Sequence, residues 1–191
     1  MAKLHFHYAA MNSGKSTHLL QVAYNYMERN MKPLILKPAI DTRDGDNVSS
    51  RIGISQKAHM ISQDDNLKAF CEKLIELDGI DCILVDEAQF LTVDQVHQLG
   101  DVVDYINVPV MCYGLLSDSN GHLFPASAEL LVLAERKVEH ETICWCGKKA
   151  TMTMRMNEHG EKIWGPRVSI GGNDRFISVC RRHWKEGKIQ K

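Results

Sequence analysis

The sequence has no long hydrophobic run. Its longest strictly apolar stretch is Leu130-Leu131-Val132-Leu133-Ala134, whereas a membrane-spanning helix needs about 20 such residues. An export signal is not expected either, because a single Lys precedes the first apolar stretch and His5 and His7 interrupt it. There is no excess of positive charge: 23 Lys and Arg face 24 Asp and Glu, a formal net charge of -1. A protein that coats nucleic acid is usually far more basic, so that class is excluded. Balanced charge leaves a nucleotide ligand open, since a helix N-terminus and one Lys can hold a phosphate. Cysteine is too sparse for a disulfide scaffold in a reducing compartment, and cytoplasmic residence is the expectation. No internal repeat or low-complexity tract appears. With 44% apolar and 25% charged residues, disorder and a fibrous repeat are also excluded.

What is present is a chain of 191 residues, long enough to bury one sizeable core and carry a small appendage. Leu4, Phe6 and Tyr8 alternate with His5 and His7 as a strand would. A helical stretch follows from Ser16 to about Asn30, then a strand at Pro33–Lys37, and Asp41–Ser50 reads as a polar loop. Leu67, Phe70, Cys71, Leu74 and Ile75 have helical spacing, closed by Asp78-Gly79. Cys82–Val85 is an apolar strand, and Thr92 can cap a helix through Val103. Val108–Tyr113 and Lys137–His140 read as strands around a helix at Ala126–Ala134. Strands alternating with helices predict an α/β fold, a mainly parallel sheet with helices on both faces. After Thr142 the character changes, and Met152, Met154 and Met156 alternate with Thr153 and Arg155. The expected division is a nucleotide-binding unit over 1–141 and a small metal-held unit over 142–191.

Three constellations carry chemistry. Ala9-Ala10-Met11-Asn12-Ser13-Gly14-Lys15-Ser16 lies between the first strand and the first helix, the context of a phosphate-binding loop. Gly14 admits a phosphate close to the backbone, Lys15 can reach the β- and γ-phosphates, and Ser16 can ligate Mg²⁺. The full pattern opens with Gly, where this chain has Ala9. Asp86 and Glu87 end an apolar strand; Asp86 fits a metal-holding role and Glu87 can accept a proton from an attacking hydroxyl. Cys144, Cys146, Cys180 and His183 form two ligand pairs that suit a closed, structural tetrahedral Zn²⁺. Each has a plainer reading alone: a chance tripeptide, a strand ending in solvent, free thiols beside a surface His.

Taken in order, these elements resemble the type II thymidine kinases over nearly the whole chain. The likeness rests on Ala10–Ser16, Asp41-Thr42-Arg43, Asp86-Glu87-Ala88-Gln89-Phe90 and Cys112-Tyr113-Gly114-Leu115. It continues through Ile143–Gly147, Ile170–Asn173 and Ser178–Arg181, and is closest to bacterial and phage members. The resemblance implies a P-loop, RecA-like domain and a zinc-held, ribbon-like lasso that closes over the nucleoside. It implies transfer of the γ-phosphate of ATP to the 5′-hydroxyl of thymidine, a homotetramer, and inhibition by dTTP. By position, Glu87 would be the base. Ala9–Ser16, Asp41, Arg43, Asp86, Ala88 and Gln89 would serve ATP, with Ser16 and Asp86 on Mg²⁺. Phe90 would stack near the thymine, and Val168, Ser169, Ile170, Gly171, Gly172 and Phe176 would frame it.

The chain departs from the usual bacterial pattern in two places. Gly114-Leu115-Leu116-Ser117-Asp118-Ser119 stands where members usually read Gly-Leu-Arg-Thr-Asp-Phe, and Phe176 replaces the usual Tyr. A looser nucleoside pocket is expected. Two other functions fit parts of the sequence. Asp86-Glu87-Ala88-Gln89 also resembles the box of a nucleic-acid-dependent ATPase, although such motors usually pair two domains and show a basic, aromatic-studded stripe. A zinc-ribbon binding module with a vestigial nucleotide site is the other.

Overall fold

A computed structural model describes residues 1–166 and 175–189. Six strands form one sheet in the order β5-β2-β6-β7-β1-β8, and every neighbouring pair is parallel. Their ranges are β1 Leu4–Ala9, β2 Pro33–Pro38, β5 His59–Ile61, β6 Cys82–Val85, β7 Val110–Leu115 and β8 Arg136–Glu139. Helix α1 (Lys15–Met27) covers one face, burying Leu19, Leu20 and Ala23 against Ile35, Leu84 and Tyr113. Helices α2 (Leu67–Asp78), α3 (Val93–Asp101) and α4 (Pro125–Leu133) cover the other, around Phe6, Leu36, Ile83 and Val110. Burial on both faces explains why β6 reads as an unbroken apolar run.

This burial also changes the reading of β1. His5 and His7 alternate with apolar residues, but His7 is only 5% exposed, because α1 lies over that side of the strand. The stretch Asp41–Ser50 is not all loop: β3 (Asn47–Ser49) pairs antiparallel with β4 (Ser55–Lys57). Strand β5 escaped the sequence reading because three residues at a sheet edge have no measurable periodicity.

Strand β2 leaves leftward to β5, and β6 leaves rightward to β7, so the connections diverge between these neighbours. Such a switch point opens a crevice at the carboxyl ends of the strands. A second, two-stranded antiparallel sheet joins β9 (Met152–Arg155) to β10 (Phe176–Val179), followed by the short α5 (Arg181–Glu186). Hydrogen bonds among the described residues join it to the main unit. Ser178 Oγ donates to the Met11 carbonyl at 2.6 Å, Trp184 Nε1 to the Ser119 carbonyl at 3.0 Å, and Asn120 Nδ2 to the Gly165 carbonyl at 2.9 Å. Among the described residues, no helix is long and apolar enough to cross a membrane.

Helix α3 begins as the sequence predicts. Thr92 Oγ1 accepts from the Gln95 backbone N–H at 3.1 Å, and Gln95 Oε1 accepts from the Thr92 N–H at 3.1 Å, a complete capping box. Thr92→Ala leaves the Gln95 N–H without that acceptor. Chemical denaturation should show a loss of about 1 kcal/mol, and an unchanged midpoint would mean solvent replaces the cap without cost.

Candidate functional site

The turn between β1 and α1 is shaped by two left-handed residues. Asn12 and Gly14 take left-handed φ values of 62° and 78°, conformations open to Asn and Gly. Ala9 is the buried last residue of β1 and has no positive φ, so the missing Gly of the full motif is not needed there. Lys15 Nζ donates to the Ala10 carbonyl at 3.1 Å and reaches Ser13 Oγ at 3.4 Å. Burial lowers its pKa, while Glu87 and Asp86 pull it back upward. Ser16 Oγ donates to Asp86, 3.1 Å from Oδ2.

Asp86 sits at the end of β6, two strands from β1 in the sheet and 5% exposed. Burial pushes its carboxyl well above the usual carboxylate range, and the Glu87 charge adds to this. The Ser16 hydroxyl and Lys15 oppose the shift. A hydroxyl and a buried carboxylate are hard oxygen donors, the set that a Mg²⁺ accompanying phosphates takes. A cation there would offset the burial of the charge.

Glu87 follows in the left-handed region, with φ 50° and ψ 39°. For a residue with a Cβ this costs about 1–3 kcal/mol and must be imposed by its surroundings. Two partners impose it: Arg43 Nη2 donates to Glu87 Oε1, and Gln89 Nε2 donates to Oε2. Gln89 is itself fixed, since its Oε1 accepts from the Leu115 N–H at 2.9 Å. Arg43 also grips Asp41, with Nε 2.7 Å from Oδ1 and Nη2 3.0 Å from Oδ2. Burial drives the Asp41 carboxyl upward, but the hydrogen bonds and charge of Arg43, with Lys37, hold it below its ordinary value. Burial also opposes the charge of Arg43, yet Asp41 and Glu87 together keep it firmly protonated.

Two cavities meet at this group. A wide groove is lined by residues 11–17, Lys37, Arg43, Arg51 and Asp86. A smaller cavity is lined by Gln89, Phe90, Ser119, Phe124, Thr153 and Phe176. Met11, Asp41, Arg43, Glu87 and Leu115 line both. The arrangement can hold a polyphosphate on one side of the Glu87 carboxylate and a flat, partly apolar ring on the other.

Most sequence-selected residues therefore converge, with some redistribution. Ala9 and Ala10 support the loop from behind and do not line the groove. Ala88 is fully buried, and Gln89 faces the smaller cavity rather than the phosphate groove. Leu116 packs against the main core, while Ser119 does line the smaller cavity. Val168, Ser169, Ile170, Gly171 and Gly172 lie outside the described residues.

Sequence reading missed several contributors. Lys37 is 1% exposed, lies 3.4 Å from Asp41 Oδ2 and donates to the carbonyls of Gly45 and Asn47 at 3.2 and 3.1 Å. A lysine inside an apolar strand was the available signal. Phe124 stands edge-on to Phe90 with ring centres 6.0 Å apart, and nothing local distinguishes it from a core aromatic.

Cys144, Cys146, Cys180 and His183 converge with their donor atoms within 4.8 Å of one another. His183 Nδ1 is 3.3 Å from Cys144 Sγ and 3.4 Å from Cys180 Sγ, and the Cys146 and Cys180 sulfurs are 4.0 Å apart. Tetrahedral Zn²⁺ with ordinary bond lengths has ligand–ligand edges of about 3.4–3.8 Å, so the four side chains fit that ion. The indole of Trp145 stacks on His183 at 4.0 Å and fixes the ring.

Gly114 makes the close approach of β7 to the Glu87 turn possible. A Cβ there would meet Gln89 Oε1 at 2.8 Å and the Gln89 backbone N at 3.0 Å. Gly114→Ala should cost roughly 1–3 kcal/mol in thermal or chemical unfolding. Unaltered stability would show that the turn can retreat freely.

The sequence has counterparts among known proteins. Residues 2–184 match the family model described as thymidine kinase. A thymidine kinase of Idiomarina loihiensis is 50% identical over 188 residues, covering 97% of each chain. That of Mannheimia succiniciproducens is 51% identical over 193 residues, 99% of each. One from Vibrio cholerae is 52% identical over 188 residues, 97% of this chain and 98% of its own. With half its residues shared over nearly its full length, this chain belongs to the thymidine kinase family.

Proposed function

We propose that this nucleoside kinase transfers the γ-phosphate of ATP to the 5′-hydroxyl of thymidine, with deoxyuridine a second candidate acceptor, giving dTMP for pyrimidine salvage. The observation that carries the reading is the position of Glu87, whose side chain is shared by the phosphate groove and the aromatic cavity. Family membership supplies the substrate class. Lys15, Lys37, Arg43 and Arg51 give the groove positive charge suited to a triphosphate, and Phe90, Phe124 and Phe176 give the smaller cavity an apolar lining suited to a base.

In this reading Lys15 and the loop N–H groups hold the β- and γ-phosphates, and Arg43 spans from Asp41 to the reacting centre. Glu87 accepts the proton of the 5′-hydroxyl as its oxygen bonds to the γ-phosphorus, and the bond from that phosphorus to the ADP oxygen breaks. Mg²⁺ held by Ser16 and Asp86 would neutralise phosphate charge. Gln89 and Arg43 orient the Glu87 carboxylate. Zn²⁺ on Cys144, Cys146, Cys180 and His183 would hold the 142–191 unit together, where the local core is small. The proposal extends, on family membership, to a cytoplasmic homotetramer inhibited by dTTP.

Glu87→Gln retains size and hydrogen-bonding reach but cannot take a proton. Steady-state kinetics should show kcat lower by roughly 10²–10⁴-fold with ATP affinity little changed. A kcat within about threefold of wild type, with chemistry rate-limiting, would remove Glu87 as the base. Lys15→Ala should abolish transfer while circular dichroism is unchanged.

Metal analysis should find one zinc per chain at the Cys/His group, lost in Cys180→Ser along with order in the following segment. A zinc-free chain with the same protease resistance there would refute the zinc assignment.

A further inference from the structure

Three histidines converge on the α1 side of the sheet, outside both cavities. His7 lies on β1, His18 in the first turn of α1, and His140 immediately after β8. One ring nitrogen from each lies within 4.8 Å of the other two. His7 Nδ1 is 2.9 Å from His140 Nε2, and His18 Nδ1 is 3.1 Å from the Tyr113 hydroxyl. His7 is 5% exposed, and its Nε2 is buried with no hydrogen-bond partner among the described residues.

Packing alone does not account for this group. His7 does stack on Tyr113, with ring centres 4.5 Å apart. An apolar ring would stack as well without stranding a nitrogen away from water. Burial first, and then the neighbouring His18, His140 and His5, hold the His7 pKa down at about 3. Burial also lowers His18 and His140. The three rings are therefore neutral at physiological pH, each with a lone pair on one nitrogen, the form that binds metal.

We propose that His7, His18 and His140 form a second metal site, for a divalent transition ion that prefers imidazole, such as Zn²⁺, Co²⁺ or Ni²⁺. Three nitrogens around such an ion sit about 3.4 Å apart, within reach of small ring rotations from the present spacing. His18 is exposed and gives the ion a path from solvent. Three protein nitrogens leave a fourth position for water or for the Tyr113 hydroxyl, which burial keeps protonated. The ligands come from both flanks of the phosphate loop: His7 precedes Ala9 on β1, and His18 lies one helical turn beyond Lys15. A bound ion ties these flanks to the end of β8.

The test is titration of the metal-stripped full chain with Co²⁺, counting bound metal by elemental analysis and recording absorption. Thiolate-to-cobalt charge transfer marks the Cys/His group, so the two sites are read separately. The expected result is one equivalent of Co²⁺ that carries no thiolate band. In His18→Ala and His140→Ala that equivalent should bind about 10-fold or more weakly, with the thiolate band unchanged. His18→Ala replaces an exposed helical residue with a better helix former, so folding is preserved. The proposal is overturned if every bound equivalent shows thiolate absorption, or if the thiolate-free equivalent is indifferent to both substitutions.

Discussion

A chain of paired charges, rooted in the buried Lys37 and Asp41, holds this candidate site in shape. It runs from Lys37 on β2 to Asp41, through the Arg43 guanidinium to Glu87, and on through Gln89 to the backbone of β7. Each member is costly to bury alone and tolerable only because the next one answers it. The left-handed turn at Glu87 depends on this chain, since nothing in the local sequence favours that conformation in a residue with a Cβ. The carboxylate is thereby fixed at the wall between the phosphate groove and the aromatic cavity.

The sheet sets where that chain lies. All six strands run parallel, so the loops after β1, β2, β6 and β7 emerge at one end. The phosphate loop, Asp41 and Arg43, Asp86 and Glu87, and Leu115 thus share one edge although they span more than half the sequence. The divergence of connections between β2 and β6 leaves room above them. Gly114, without a Cβ, lets the Glu87–Gln89 turn lie directly against β7.

The small second sheet has little core of its own, with Cys144, Ala150, Met154, Val179 and Cys180 as its buried residues. It is positioned by polar contacts to the main unit, and one of these, from Ser178, ends on the carbonyl of Met11 in the phosphate loop. Phe176 and Thr153, on β10 and β9, therefore close the aromatic cavity from above.

Local chemistry was legible in the amino-acid order. Phosphate loops, apolar strands ending in carboxylates, a Thr cap and paired Cys and His ligands all lie in short segments, where spacing and propensity act. The sequence alone therefore determined the α/β class, the loop at Ala10–Ser16, Asp86 and Glu87, and the Cys/His set. It could not place Gln89 on the aromatic-cavity side of Glu87, find Phe124 or the buried Lys37, or bring His7, His18 and His140 together. Those placements depend on side chains brought together by a sheet whose strand order is not its chain order. Burial of both faces of β1 turned an alternating histidine from a solvent-facing residue into a stranded polar group. That outcome belongs to tertiary packing, because only the helix laid over the strand removes the water its ring would otherwise bind.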